Sequence, residues 1–370
     1  MDTERLKSSF ARIAMHGDEV PLHFYSDLFL KHPETRTMFP VSMQAQRAHL
    51  VDALGTIVAS VENADQLAAF LRDLGRGHRK FGTLATHYDA VRESLLATFA
   101  HFCGEAWDAD LEADWRGAYE LIAGVMTAAA REDEEHHPAC WLGTVVGHER
   151  RAFDVAILTV QTLPRLEYLP GQSVAVESPA RPRLWRYYSI ANAPRPDGSV
   201  EFHVRLVDGG AVSMALTATT NVGTELKLGP PVGVLRLDTA SGRDILMVAG
   251  STGLAPLRAM LEQVAALQRP PRVHLFFGAR SADGLYDLPS LEKMAAEHPW
   301  LTVVPAVSSG RFAGQVGALS DVVTRSGAWS DRDAYIAGPS ELVKDCTARL
   351  VAAGLPLTQI HVEDFGWSEP

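Results

Sequence analysis

A short turn near residue 250 has the residue types and spacing of a nucleotide-binding turn. An apolar run predicts a buried strand before it, and the run LRAMLEQVAAL predicts a helix after it. Glycine lets a backbone approach a ligand closely, and free N–H groups at the start of a helix attract a pyrophosphate. We therefore expect a pyridine-nucleotide site at this turn. Its predicted contacts are Gly250, Ser251, Thr252, Gly253, Ala255 and Pro256.

A second candidate ligand-binding segment is the predicted strand Arg186-Tyr187-Tyr188-Ser189. Arginine can pair with a pyrophosphate, tyrosine can lie against a flavin ring, and a serine hydroxyl can bond to the edge of that ring. Because side chains two apart share one face of a strand, Arg186 and Tyr188 point together and Ser189 points away. The alternative is a charged barrel strand with two core tyrosines. Further predicted contacts, at a tight turn and a second helix start, are Gly210, Val212 and Ser213.

The elements that must position these residues differ along the chain. Residues 1 to about 135 have helical spacing only, with a helix from Ala64 that we expect to loosen at Gly75 and Gly77. The acidic stretch 132–138 is expected to be a linker. From Trp141 to about residue 238, alternating runs between turns predict an antiparallel β-barrel. From Arg243 onward, alternating strands and helices predict a parallel α/β unit.

Composition narrows the functional class. Of the net charge of −11, residues 1–138 carry −9, because they hold 22 acidic and 13 basic residues. An acidic N-terminal part is poorly suited to nucleic acid or an anionic membrane. No apolar run is long enough to span a bilayer, and the N-terminus does not have the pattern of a signal peptide. Three widely spaced cysteines suit neither a disulfide framework nor a zinc site, so we expect a cytoplasmic protein.

From about residue 141 to the end, the chain resembles the ferredoxin–NADP reductase superfamily. The family's Arg-x-Tyr-Ser motif matches the strand at 186–189, and its nucleotide turn matches 250–256. The closing segment, whose glutamate and aromatic side chains lie against the flavin in that family, matches Glu363, Phe365 and Gly366. This chain has Ser173 where the family often has tyrosine, and Ala337 where it often has cysteine.

The helical part resembles a globin, and the whole chain resembles the flavohaemoglobin (nitric oxide dioxygenase) family. The resemblance implies a multidomain protein: an all-α globin domain at 1–137, an antiparallel β-barrel FAD-binding domain at 138–238, and an α/β NAD(P)-binding domain at 239–370. On the distal side of the haem, it implies Tyr25 as a hydrogen-bond donor to a bound ligand and Phe39 as the residue that wedges the haem. Gln46 and Leu50 lie one helical turn apart and resemble the distal polar and apolar residues.

On the proximal side, the resemblance implies His78 as the iron ligand. A neutral imidazole binds iron through one nitrogen, and an acceptor on the other nitrogen orients the ring. Glu132 resembles that acceptor, with Tyr88 beside it; Asp133 or Glu134 could take the same place, or the acidic run could be solvated. Among the other histidines, we expect His23 on a helix surface, His49 directed away from the haem, and His87 as the competitor of His78.

The family's implied chemistry runs from NADH or NADPH to FAD and then to haem b, which uses O2 to convert nitric oxide to nitrate. We expect NADH as the donor and leave NADPH open, because Arg280 could meet a 2′-phosphate or could instead be a solvated residue near Asp283 or Asp287. A monomer is compatible with the sequence. The alternatives are a reductase for an external one-electron acceptor, a haem-based oxygen or redox sensor, and a globin-shaped module without haem.

Overall fold

The chain divides between Cys140 and Trp141 into two compact units. The computed structural model describes residues 2–366. The first unit is helical, and the second contains an antiparallel sheet followed by a parallel one. This order confirms the predicted fold class. The predicted domain limits at 137 and 238 stay predictions. No helix in residues 2–366 is long and apolar enough to cross a membrane.

Three α-helices of the first unit begin with a polar side chain that caps them. Asp2, Asn63 and Asp108 each accept a hydrogen bond from the backbone N–H three residues later. Phe99 and Trp115 stack tilted at 4.5 Å in the core. The α-helices are α1 (Thr3–Ala14), α2 (Glu19–Lys31), α3 (Gln44–Ala59), α4 (Ala64–His78), α5 (Ala85–Cys103) and α6 (Ala109–Glu134), with 3-10 turns at Pro33–Met38, Arg79–Phe81 and Gly104–Ala106.

Two helices of this unit run further than predicted. Helix α4 continues through Gly75 and Gly77 instead of loosening there. The reason is a close helix crossing, because a methyl group at Gly75 would lie 2.7 Å from Cα of Met126 in α6. Helix α6 continues to Glu134, so the first three residues of the predicted acidic linker, 132–134, are helical.

The antiparallel sheet has the strand order β4-β3-β6-β1-β2-β5. A bridge between Ile190 and Phe202, beside the two edge strands, closes it into the predicted barrel. Its interior is apolar, with Val145, Leu158 and Val174 fully buried. The elements are β1 (Trp141–Ala152), β2 (Val155–Leu163), β3 (Ser173–Glu177), β4 (Trp185–Ser189), β5 (Ser199–Arg205), a short helix α7 (Ala211–Met214), a π turn (Ala215–Thr219) and β6 (Glu225–Leu228).

The parallel sheet has the order β10-β9-β8-β7-β11-β12, and an α-helix follows each strand except β9 and β12. Its central strands β7 and β11 are buried along their whole length, as their apolar sequences predict. The elements are β7 (Ile245–Gly250), α8 (Leu254–Ala265), β8 (Val273–Ala279), α9 (Leu288–Glu297), β9 (Leu301–Val307), β10 (Gln315–Val316), α10 (Leu319–Ser326), β11 (Asp333–Gly338), α11 (Ser340–Ala352) and β12 (Ile360–Asp364).

Candidate functional site

A buried tyrosine is the centre of the first group of predicted site residues. Tyr25 is 6% exposed, and its ring meets that of Phe39 edge to face at 5.4 Å. Its hydroxyl donates to the carbonyl oxygen of Gln46 at 3.4 Å, which is long for an O–H···O bond. Burial raises the pKa of Tyr25 to about 12, so the phenol keeps its proton. Leu50 is half-buried and packs against the same core. The structure therefore brings these four residues together around a phenol that can turn towards another acceptor.

His78 is the last residue of α4 and has a fixed ring orientation. Its Nδ1 lies 2.6 Å from the carbonyl oxygen of Leu74, so Nδ1 carries the proton and donates it to that carbonyl. Burial lowers the pKa of His78, which favours the neutral ring. The lone pair is then on Nε2. A neutral imidazole with a free Nε2 lone pair is the species that binds haem iron.

The predicted hydrogen bond between His78 and Glu132 is wrong. Nδ1 of His78 is committed to the Leu74 carbonyl, and Glu132 is exposed on α6. The neighbouring carboxylate, Asp133, is largely buried, but it pairs with Arg79 and accepts a 2.9 Å hydrogen bond from Nδ1 of His137. Asp133 therefore secures the turn that follows the histidine and does not reach the ring.

Tyr88, the other predicted partner of His78, is half-buried in α5. The hydrogen bond that the structure gives to this residue is at its backbone, where its carbonyl oxygen accepts 2.7 Å from the hydroxyl of Tyr119. Burial raises the pKa of the Tyr88 phenol, which stays protonated. Its role beneath the iron ligand therefore stays a prediction.

Three other histidines near the predicted haem site have different surroundings. Nδ1 of His87 accepts a 3.0 Å hydrogen bond from the backbone N–H of Leu84, so His87 caps the start of α5. His49 is exposed. His23, expected on a helix surface, is half-buried on α2, and its Nδ1 bonds to Thr98 at 3.0 Å.

Within residues 2–366, no three His, Cys, Asp or Glu side chains are grouped to hold a metal ion. Haem iron needs only one protein ligand.

The surroundings of these residues fit a haem group. Helix α3 contains several apolar side chains, and yet none of its residues is buried. Leu50, Leu54 and Val58 pack only partly against the core of the unit, and these three and Ile57 stay half-exposed. An apolar helix in a folded domain normally covers its apolar face against something. A flat apolar macrocycle would cover α3, and Nε2 of His78 is chemically suited to its iron.

In the second unit, a buried carboxylic acid lies at the predicted flavin site. The hydroxyl of Ser189 donates a 3.0 Å hydrogen bond to Oε1 of Glu363. Oε2 of Glu363 is buried and has no hydrogen-bond partner within the described residues. Burial raises the pKa of Glu363 to about 7. Buried polar atoms without a partner are rare, so this oxygen suits a hydrogen bond with a bound ligand. The group fits the edge of a flavin.

The other predicted flavin residues flank this pair. Arg186 and Tyr188 share one face of β4 and lie opposite Val176 and Val174 of β3. Tyr188 packs partly against the barrel core, whereas Tyr187 is 57% exposed on the other face. At the neighbouring turn, the Ser213 hydroxyl donates to the Gly210 carbonyl at 3.0 Å, and the side chain of Val212 is buried. In the closing segment, the N–H of Phe365 donates to the Gly338 carbonyl at 2.9 Å, and a methyl group at Gly366 would lie 3.4 Å from Oγ of Ser340.

The nucleotide turn has the predicted strand-turn-helix form. A 3-10 turn at Ser251–Gly253 joins β7 to α8. Gly253 packs closely against the backbone of the neighbouring strand β11. A methyl group at this position would lie 2.8 Å from Cα of Gly338 and against the carbonyl of Ala337. Ser251 has a φ of 56°, which non-glycine residues rarely adopt. The remaining predicted contacts lie at the same turn or in the buried first turn of α8; they are Gly250, Thr252, Ala255 and Pro256.

The sequence reading missed the polar residues of β5. Glu201, His203 and Arg205 alternate along this strand and therefore share one face. The guanidinium of Arg205 donates to the hydroxyl of Ser251 in the nucleotide turn. His203 is buried, and its Nδ1 lies 2.8 Å from the hydroxyl of Tyr286 in the parallel α/β part. Polar residues at every second position of a barrel strand are the signal that could have predicted this face.

Arg280 lies at the end of β8 and is exposed. The suggested pairing with Asp287 is wrong, because that buried carboxylate already pairs with Arg151 and Arg258. The carbonyl oxygen of Arg280 accepts a 3.0 Å hydrogen bond from the backbone N–H of Ser309. The backbone is thus fixed and the guanidinium is left at the surface, so the choice between NADH and NADPH stays open.

Family models and known relatives agree with this division of the chain. A globin model matches residues 22–126, an oxidoreductase FAD-binding domain matches 143–237, and an oxidoreductase NAD-binding domain matches 247–348. A flavohemoprotein from Rhizobium meliloti (strain 1021) is 30% identical over 393 residues, which cover 98% of this chain and 96% of the relative.

Two further similarities cover different shares of the chain. The reductase component of the naphthalene 1,2-dioxygenase system of Pseudomonas putida is 32% identical over 236 residues, covering 62% of this chain and 70% of that protein. The crystal structure of a flavohemoglobin from Malassezia yamatoensis, with bound FAD and heme, superimposes with a TM-score of 0.80 at 19% identity and covers 98% of each chain. That structure shows the same fold.

One chain therefore contains a helical unit with an imidazole suited to iron, a barrel with the buried Ser189–Glu363 pair, and a nucleotide turn. The match to the full-length relative covers all three parts. The residues present fit haem, FAD and a pyridine nucleotide. The chain belongs to the flavohaemoprotein family.

Proposed function

We propose that this chain is an NAD(P)H-dependent nitric oxide dioxygenase. The observation that carries the proposal is the hydroxyl of Tyr25, which is buried, protonated and bonded only weakly to the Gln46 carbonyl. A donor of this kind stabilises negative charge that develops on a small diatomic ligand. Leu50 and Phe39 restrict the space around it to small molecules.

The cofactors supply the redox chemistry when they are bound. FAD accepts a hydride from NAD(P)H and passes on single electrons, and haem iron provides the centre where O2 and nitric oxide react. The balanced reaction combines two nitric oxide and two O2 molecules with one NAD(P)H to give two nitrate ions, NAD(P)+ and a proton. The protein's residues bind, orient and shield these groups.

The second unit provides the orientation for hydride transfer. Arg205 and the nucleotide turn at Ser251 suit the charged pyrophosphate of the pyridine nucleotide. The Ser189–Glu363 pair places a hydroxyl and a neutral acid at the predicted flavin edge. Ala337 stands where the family often has cysteine; it is fully buried in β11, and its backbone carbonyl lies against Gly253. We expect hydride transfer to be slower than in an Ala337→Cys variant.

In the first unit, His78 would hold the haem iron through Nε2, and the bond from its Nδ1 to the Leu74 carbonyl keeps the ring from rotating. Tyr25 provides the donor on the ligand side. Because both units belong to one chain, reduction of the iron does not depend on an encounter between separate proteins. This tethering is the physical advantage of joining a globin to a reductase.

The proposal is tested with the purified full-length protein. An anaerobic absorption spectrum should show haem and flavin bands, and NADH should convert the ferric haem bands to ferrous ones. With O2 and nitric oxide present, nitrate should form in catalytic amounts at the stoichiometry given above. His78→Ala should lose the axial ligation and the nitrate formation while keeping the flavin bands. Nitrate formation that stops after one equivalent of protein would contradict the proposal and would favour a haem-based sensor.

A second candidate function is electron transfer to an external acceptor. The similarity of 62% of the chain to a dioxygenase reductase component, at 32% identity, favours it. In that case, NADH should reduce added cytochrome c rapidly while the chain's own haem stays ferric. The anaerobic spectrum separates the two candidates, since internal reduction of the haem occurs only in the first.

A further inference from the structure

We infer that the axial ligand His78 is a neutral imidazole held by a backbone carbonyl and faced by alanines, so that this chain lacks the carboxylate-assisted ligand that its family resemblance implies. The ferric haem is consequently easier to reduce than with a carboxylate beneath the ligand. The inference rests on haem binding in the first unit and not on nitric oxide chemistry. Its test is therefore independent of the activity proposed above.

The first step is the alignment of α4 along α6. Two contacts between these helices, called anchors below, fix this alignment. At the first anchor, Gly75 lies against the backbone of Met126, where a methyl group would come within 2.7 Å of the Met126 Cα. At the second anchor, the guanidinium of Arg79 pairs with the carboxylate of Asp133, and both side chains are about one-tenth exposed, at 10% and 11%. His78 lies between these anchors on α4, next to Arg79.

The second step is the identity of the α6 residues between the anchors. Residues three, four and seven positions apart share one face of a helix. Counting from Met126, the positions on this face are Ala129, Ala130 and Asp133. Ala129 is 3% exposed and Ala130 is half-buried. The two positions on this face between the anchors therefore carry methyl groups, which accept no hydrogen bond.

The third step concerns the carboxylates that could replace them. Glu132 lies off this face and is exposed. Asp133 lies on the face but already binds Arg79 and His137. Nδ1 of His78 turns instead to its own helix and donates to the Leu74 carbonyl at 2.6 Å. A carbonyl is a weaker acceptor than a carboxylate, and it leaves the proton on the imidazole.

The consequence is electronic. A carboxylate that accepts from the distant nitrogen raises the basicity of a metal-bound imidazole and increases its electron donation. Greater donation stabilises the ferric state and favours O–O bond cleavage. With a carbonyl acceptor, His78 donates less. The arrangement suits a centre that must be returned repeatedly to the ferrous state by a tethered flavin.

Resonance Raman spectroscopy of the ferrous full-length protein tests this inference, because the iron–histidine stretching frequency rises as the imidazole gains imidazolate character. The references are ferrous haem with neutral 2-methylimidazole and with its deprotonated form. We expect the protein's stretch to match the neutral reference. We also expect Glu132→Gln to leave both this frequency and the haem reduction potential unchanged.

The converse test is a variant that adds the missing carboxylate near His78. Ala130→Glu places a carboxylate on the face that His78 meets and should raise the iron–histidine frequency and lower the reduction potential. Ala130→Gln has nearly the same volume without the charge and should cause a clearly smaller change. A wild-type frequency at the deprotonated reference, a fall in frequency with Glu132→Gln, or equal spectra for the two Ala130 variants would each overturn the inference. The first two measurements do not require the Ala130 variants to fold.

Discussion

The hydroxyl of Ser189 and the carboxyl group of Glu363 are joined by a 3.0 Å hydrogen bond between strands of two different sheets. Ser189 ends β4 of the barrel, and Glu363 lies in β12, the last strand of the parallel sheet. Glu363 is also the register partner of Ala337, the residue at the predicted nicotinamide position. One carboxyl group therefore lies next to both the predicted flavin contact Ser189 and the predicted nicotinamide position Ala337.

Glu363→Gln should remove a pH dependence from flavin reduction. Burial raises the pKa of Glu363 to about 7, so the acid is mostly neutral below this pH and becomes a carboxylate above it. Reduction adds negative charge to the flavin, and a carboxylate beside the ring opposes it. We expect the rate of flavin reduction by NADH to fall as pH rises through about 7. The measurement is anaerobic stopped-flow absorbance across this range.

The glutamine variant keeps the size of the side chain and cannot ionise. Its rate of flavin reduction should be independent of pH where the wild-type rate falls. The same shift also affects folding: a raised carboxyl pKa means that protonation stabilises the native state, and this contribution decreases as pH rises towards about 7. If flavin reduction in the variant still slows as pH rises through about 7, a group other than Glu363 controls the rate.

Tyr286→Phe should weaken the contact between the barrel and the nucleotide-binding part. The Tyr286 hydroxyl lies 2.8 Å from Nδ1 of His203, and the other ring nitrogen of His203 lies 3.2 Å from Glu201. Removing the hydroxyl leaves a buried nitrogen without its partner, which costs about 1–3 kcal/mol of unfolding free energy. Urea unfolding of the full-length protein, followed by flavin fluorescence, measures this loss.

A double-mutant cycle provides the control for this prediction. His203→Leu together with Tyr286→Phe removes both partners, so the second substitution should cost much less in the presence of the first. Additive losses of free energy would show that the two groups do not interact.

Hydrophobic spacing in the sequence was sufficient for the order of the secondary structure elements. The strand at Ile245–Gly250 and the helix at Leu254–Ala265 follow from an apolar run, a glycine turn and helical periodicity. Helix α4 could not be predicted to its end, because a glycine that ends a helix and a glycine that packs against another helix look the same in sequence. Only the distance from Gly75 to Met126 separates the two cases.

Prediction of the site residues from sequence also failed where it depended on packing between distant parts of the chain. Tyr25, Phe39 and Ser189 were predictable because their neighbours carry family motifs. The family resemblance implied Glu132, but a position along the chain does not reveal which face of α6 meets α4. The bond between Ser189 and Glu363 joins residues 174 positions apart, so neither neighbourhood indicates the other. Pairings of this kind depend on the packing of the two sheets.

Gly75→Ala should destabilise the helical unit, whereas Gly77→Ala should not. A methyl group at Gly75 would overlap the backbone of Met126, and relieving such overlap in a packed core costs about 1–3 kcal/mol. A methyl group at Gly77 meets nothing within 4 Å, and alanine there should stabilise α4 by about 0.5–1 kcal/mol. Haem loss from the full-length protein to an excess of apomyoglobin measures the effect beside His78. Equal rates for both variants would contradict the close crossing.

Tyr25→Phe should speed the dissociation of O2 from the ferrous protein by roughly tenfold or more. A hydrogen bond to a charged partner contributes about 1.5–3 kcal/mol, and about 1.4 kcal/mol corresponds to a factor of ten. The bond that Tyr25 makes to the Gln46 carbonyl, at 3.4 Å, is weak enough to be exchanged for one to a ligand. Stopped-flow displacement of O2 by carbon monoxide gives the rate. Tyr119→Phe is the matched control, because that hydroxyl bonds to the Tyr88 carbonyl at 2.7 Å and is already occupied. Similar O2 release from both variants would mean that Tyr25 is only a core residue, whereas a change confined to Tyr25→Phe would identify its hydroxyl as the donor to the bound ligand.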